Sequence, residues 1–258
     1  MKKHAFWGAL ALVLLLPAAT LGTEFDELDK APEGAHRGQM LLGGFIAFGS
    51  PSGDIIDAEN SLVNKSDYTF TNEVTKKFQV SHLSFGLGVT YEYMPIDYIG
   101  AKSRLKRTYI SQKTNFGPDY RNWSETLYQD ISLFVGPSFH STVRKRWDFT
   151  LSPMIGYAYG TFEAAPIANS ILETVTGPSS KRSVSGICYG VELNCTIYFS
   201  GGLFVSFGFD YTRNPVNLKS AIELTNSDKA GYEYLDGASS GTINSRCFIL
   251  TAGYAFSN

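Results

Sequence analysis

Lys102, Arg104 and Lys106 stand at alternate positions, a spacing that puts three fixed cations on one face of an extended segment. Buried cations persist only when paired and hydrogen-bonded. The chain supplies candidate partners in Glu92, Asp130, Asp148, Glu192 and Asp210, each standing in an alternating segment in register with Gly, Ser, Thr or Asn. Such a set can form a salt-bridge network, with Glu92 and Asp130 as the expected chief partners of the Lys-Arg-Lys row. It can alternatively line a charged path that selects small ions. Acid–base or nucleophilic catalysis would need a base with a nucleophile and an orienting acid beside it. None of His4, His36, His82 and His140 has such neighbours in sequence. His82 reads as an inward side chain and His140 as part of a turn. Cys188, Cys195 and Cys247 are odd in number and have no nearby histidine, so they suggest neither a disulfide framework nor a metal site. The expectation is a non-enzyme without a cofactor.

The segments that carry these charges are built by alternation. From Leu83 to Tyr93 large apolar residues alternate with Ser, Gly, Thr and Glu, so one face is greasy and the other small or polar. A soluble barrel fills its interior with the bulky face. Here the polar face is the slender one, which suits a strand with lipid outside and a narrow polar lumen inside. Eight such strands are expected, at 39–49, 78–93, 99–110, 127–139, 147–162, 184–199, 203–212 and 243–256. Each is near or above the roughly 9–11 residues a tilted membrane strand needs. Lys102, Arg104 and Lys106 must then face inward, because a charge turned to lipid costs about 2–4 kcal/mol near the midplane. Pro137 and Pro153, which lack a ladder donor, predict bulges or irregular pairing.

The links between strands alternate short and long. The long ones, 50–77, 111–126, 163–183 and 213–242, read as external loops and the short ones as periplasmic turns. Two long loops carry unexpected apolar residues. Ile55 and Ile56 lie in the first, while Ile167, Ile171 and Leu172 lie in the third, where Pro166 and Gly177 suggest a short helix between them. Together the five predict a small hydrophobic-ligand site over the mouth, or simply loops that pack on themselves.

At the N-terminus Lys2 and Lys3 precede an apolar run from Ala5 to Leu16, too short to span a bilayer. Residues 1–22 therefore read as a cleavable signal peptide, 23–38 as an N-terminal periplasmic segment and 39–258 as the barrel. With 22 basic against 24 acidic side chains, nothing points to nucleic acid. Aromatic residues make up 14%, enough to supply girdles at both membrane interfaces.

The chain ends with Phe248, Leu250, Ala252, Tyr254 and Phe256 alternating around Gly253. This resembles the C-terminal signal strand of bacterial outer-membrane proteins, although Ser257 and Asn258 follow the last aromatic. Together with the export signal and the eight strands, the pattern is similar to the small eight-stranded barrels of the OmpA, OmpX and OmpW type. The resemblance implies an all-β, antiparallel, up-and-down transmembrane barrel in the outer membrane. It also implies assembly by the barrel-assembly machinery through Gly253, Tyr254 and Phe256. The OmpW-like expectation is a port for small hydrophobic solutes. The alternative is an adhesin or structural surface protein with a sealed lumen that meets host molecules through its loops.

Overall fold

The computed structural model describes residues 35–54, 79–116, 122–143, 146–164, 167–169, 174–176, 180–217 and 240–256. Alternation sets the strands, because every second residue must reach the same face. The elements are β1 (Met40–Ser52), β2 (Gln79–Ile96), β3 (Ile99–Phe116), β4 (Asn122–Val143), β5 (Trp147–Ala164), β6 (Ile167–Asn169), β7 (Thr174–Thr176), β8 (Ser180–Tyr198), β9 (Leu203–Asn217) and β10 (Ser240–Phe256). Eight long strands pair antiparallel in the order β3-β2-β1-β10-β9-β8-β5-β4, and a β3–β4 pairing closes the ring. The up-and-down eight-stranded barrel expected from the alternation is the fold.

The register fixes how the strands lean. Following paired residues from Leu42 through Tyr91, Ser103, Val135, Ile155, Tyr189, Arg213 and Asn244 returns to β1 at Ser52, ten residues further along. Eight strands with this stagger must tilt steeply, so hydrogen-bonded neighbours are not level with one another. Each step around the ring shifts the level by about 1.25 residues, one eighth of the ten-residue stagger.

The wall is inside-out relative to a soluble protein. Leu193, Ile155, Ile187 and Phe209 are exposed on the outside, while Arg104, Lys106, Glu192 and Asp210 are almost fully buried within. Lipid can solvate the first set and hydrogen-bonded pairing the second, so the barrel is of the membrane-spanning kind. No described helix is long and apolar enough to cross a membrane.

One expectation, at the prolines, is met as irregular pairing and not as a bulge, and two others need correction. The β4–β5 ladder runs without a shift from Val135↔Ile155 to Phe139↔Leu151 but lapses between them, where Pro137 and Pro153 would face each other. The prolines thus interrupt pairing without a bulge. Gly136 is needed there, because a Cβ on it would lie 2.1 Å from the Pro153 carbonyl oxygen. Secondly, β3 continues to Phe116 and β4 begins at Asn122, so only residues 117–121 separate them. A loop over 111–126 was expected because apolar alternation stops where lipid stops, whereas backbone pairing continues beyond it. Thirdly, the third loop contains no helix over its described part. Ile167–Asn169 and Thr174–Thr176 pair as a hairpin that joins β4 at Asn122 and Trp123. β-branched Ile167, Thr174, Val175 and Thr176 favour that outcome.

Candidate functional site: the charged lumen

β3 runs up the wall with Lys102, Arg104 and Lys106 inward, and its row reaches across the barrel. Lys102 Nζ lies 2.5 Å from Glu192 Oε1, Arg104 Nη1 lies 2.6 Å from Glu192 Oε2 and 2.8 Å from Asp210 Oδ1, and Lys106 Nζ lies 2.5 Å from Asp210 Oδ2. Cations and carboxylates therefore alternate along a continuous ladder. Asn194 also donates to Glu192, and Thr212 Oγ1 lies 3.3 Å from Asp210 Oδ2. The Arg104 guanidinium carbon sits 4.9 Å from the Phe134 ring centroid and 5.7 Å from that of Phe45. These inward aromatics hold the cation while its Nε and Nη2 meet no acceptor among the described residues.

The partners differ from those expected from neighbouring strands. Glu92 is paired with Lys102 in the β2–β3 register, yet the ammonium bonds to Glu192. The nearest carboxylate along a pleated wall is not the nearest one across a narrow lumen. β8, which carries Glu192, lies three strand steps from β3 through β4 and β5, and β9, which carries Asp210, lies four in either direction, and side chains as long as Lys and Arg span the gap.

Glu92 instead belongs to a second cluster, nearer the short turns. His140 Nε2 lies 2.7 Å from Glu92 Oε1, and its Nδ1 lies 2.6 Å from Asp148 Oδ2. Both nitrogens can donate to these carboxylates only in the doubly protonated ring. Ser138 Oγ donates to Glu92 and lies 3.2 Å from His140 Nε2. Thr142 Oγ1 donates to Asp148 over 3.3 Å. His140 was expected in a turn, but β4 carries it inward, because the strand outlasts the apolar pattern by several residues. The signal was present in Ser138, His140 and Thr142, which alternate with Phe139, Ser141 and Val143.

Ser138, His140 and Asp148 stand in the sequence of contacts that activates a serine nucleophile. The surroundings oppose that chemistry. Glu92 takes both the serine proton and the Nε2 direction, Ser138 is fully buried, and the adjoining cavity measures about 20 Å³. Such a space holds about one water and no substrate. The cluster is therefore a lock between β2, β4 and β5.

Asp130 stands apart from the ladder. Tyr128 OH donates to it over 2.8 Å and Asn214 Nδ2 over 3.0 Å, so two neutral donors support this carboxylate. The side chain of His82 lies outside the described residues.

The short-turn mouth is closed from within. Ala35, Leu41, Met94, Tyr198, Phe204 and Ala255 form a buried apolar cluster. The chain before β1 is tied to the β2–β3 turn by Gly38 N to Met94 O (2.8 Å), Tyr98 N to Ala35 O (3.1 Å) and Arg37 N to Asp97 Oδ1 (2.7 Å). At the end of β10 the rings of Tyr254 and Phe256 point outward with centroids 4.8 Å apart. Gly253 permits close packing there, since a Cβ would lie 2.2 Å from the Leu42 carbonyl oxygen. Of the five apolar loop residues, Ile167 starts β6. Ile55, Ile56, Ile171 and Leu172, and with them the expected hydrophobic site, lie outside the described residues.

No protein-family model and no curated protein matches the sequence. Among solved structures, the chain is similar to Ail, the attachment invasion locus protein of Yersinia pestis, in complex with the heparin analogue sucrose octasulfate. Identity is 15%, the match covers 85% of this chain and 99% of that one, and the TM-score is 0.42. It is also similar to the outer membrane protein OprG of Pseudomonas aeruginosa, with 11% identity, 88% and 100% coverage and a TM-score of 0.41. Neisserial surface protein A matches at 11% identity, with 86% and 97% coverage and a TM-score of 0.37. These likenesses are too distant to carry any residue's role across.

Proposed function

We propose that the chain is a bacterial outer-membrane protein whose barrel is a sealed anchor and whose activity is carried by its loop end, in contact with molecules outside the cell. The observation that carries this reading is the filled lumen. A continuous ladder from Lys102 to Asp210 occupies its middle, His140 bridges two carboxylates below it, and an apolar cluster closes the short-turn mouth. An ion following that path would have to displace fully buried pairs at every level, which is strongly unfavourable. The short turns then face the periplasm and the long loops the exterior. Tyr254, Phe256 and Gly253 lie on β10, the strand offered to the barrel-assembly machinery.

The test is electrical. Protein refolded into planar lipid bilayers should show no conductance above the protein-free membrane, and steady single-channel steps would sink the sealed-anchor reading. A second reading keeps the lumen sealed and places a hydrophobic-solute port at the loop end, with lateral exit into lipid, because Ile167 lies in a hairpin continuous with β4. That reading requires labelled-hydrophobe uptake into liposomes above the protein-free rate, reduced by polar substitution of Ile171 and Leu172.

A further inference from the structure

Among the described residues the charged side chains on the outer wall are few, and three of them share one level. Arg107 on β3, Arg213 on β9 and Arg246 on β10 point outward, with Glu163 and Lys181 standing as a pair nearer the loops. Arg213 is paired with Asn244, two residues from Arg246, so the stagger leaves the two arginines level within about one residue. From Arg107 the paired residues lead through Leu87 and Ile46 to Leu250, four residues short of Arg246. Three strand steps of tilt make up nearly the same distance, so Arg107 is level with them too.

That level is the edge of the lipid band. Arg246 and outward Phe256 are ten residues apart on β10. At about 3.4 Å per residue and a tilt near 40° they bracket roughly 25 Å, the height of an outer-membrane apolar band. Between them the described outward side chains carry no charge.

Arg213 and Arg246 are diagonal neighbours on one face, at a separation of about 7–8 Å between backbones. Neither makes an ion pair among the described residues. Arg213 lies 5.9 Å over the Tyr189 ring, and its Nε is buried without an acceptor. Asp54, a carboxylate at the loop end near this strand pair, accepts instead from Thr242 Oγ1 at 2.8 Å. Two like charges held side by side at a lipid boundary call for an anion from the lipid.

Resting on the outer-membrane reading above, we propose that Arg213 and Arg246 form a clamp for a phosphate monoester of lipid A, the phosphorylated base of outer-leaflet lipopolysaccharide, with Tyr189 as its wall. A monoester carries about −1.5 to −2 charges near neutrality, which two guanidiniums can match bidentately. A phospholipid diester carries one and would leave a cation unmatched.

The protein is refolded in phosphatidylcholine nanodiscs, and its retention of bis-phosphorylated lipid A is measured by native mass spectrometry against dephosphorylated lipid A and phosphatidylglycerol. Retention of the phosphorylated form should exceed both by at least about tenfold, as expected for charge-assisted hydrogen bonds. Arg213→Gln with Arg246→Gln should abolish the preference, whereas Arg107→Gln should leave most of it, each variant being checked for folding by heat-modifiable migration. Equal retention of the phosphorylated and dephosphorylated forms overturns the clamp without needing any variant. Equal retention of phosphatidylglycerol, or an unchanged preference in a folded double variant, overturns it as well. Failure of the parent to fold in nanodiscs would strike the membrane reading instead.

Discussion

The middle of the lumen and its short-turn end both bury charge, and they do so differently. In the middle, the ion pairs that Lys102, Arg104 and Lys106 make among the described residues are with Glu192 and Asp210, so each carboxylate is shared by two cations. At the short-turn end one imidazole is shared by two carboxylates, Glu92 and Asp148, with Ser138 and Thr142 adding neutral donors. The first region is dominated by cations and the second by acids, and Lys102 lies where they meet, next to Glu92 in the β2–β3 register. The two clusters thus offset each other along the lumen rather than each balancing within its own layer. A substitution in the middle strands fixed charges, while one at the end can be answered by hydroxyls.

The largest effect that would break this comparison is Arg104→Ala. It removes the cation joining Glu192 to Asp210 and should cost about 3–5 kcal/mol in urea unfolding in lipid vesicles, the range for breaking a buried pair. A variant that unfolds like the parent would mean that the ladder bears no stability. Next is Leu193→Arg on the outer wall, near mid-height on β8, which should cost about 2–4 kcal/mol by the same measurement. Equal tolerance at Leu193 and at Asn217, the last residue of β9 at the loop end, would count against the lipid-facing assignment. His140→Gln keeps a polar side chain but loses the cation shared by Glu92 and Asp148, and about 1.5–3 kcal/mol is expected, less than at Arg104. An equal or larger loss would reverse the ranking of the two regions. The smallest effect is expected from Ser138→Ala, about 1 kcal/mol or less, because Glu92 keeps His140. Ester hydrolysis by the parent that disappears in Ser138→Ala would show that the triad-like contacts are catalytic after all.

Much of this arrangement is legible in the sequence. The period of two assigns each side chain to lipid or lumen from its immediate neighbours alone, which is why Lys102, Arg104, Lys106, Glu192 and Asp210 could be placed inward and Leu193 and Phe207 outward. Strand ends were less legible, as the overrun of β3 and β4 shows, and His140 was missed for the same reason. Polar residues beyond the lipid band alternate too, but without apolar partners the alternation is faint. The third-loop hairpin was hidden because a few residues with mixed signals fit either a helical turn or a strand.

What the sequence by itself determined is the side of the wall on which each residue stands, since that depends only on local parity. What the tertiary structure decided is who meets whom across the lumen. Glu192 and Asp210 reach β3 only because eight strands close with a ten-residue stagger, which brings β8 and β9 across the lumen from β3 and levels their carboxylates with the Lys-Arg-Lys row. The same stagger, invisible in any single segment, puts Arg107, Arg213 and Arg246 at one height on the outer wall. Parity is a property of neighbours along the chain, whereas level and opposition are properties of the closed ring.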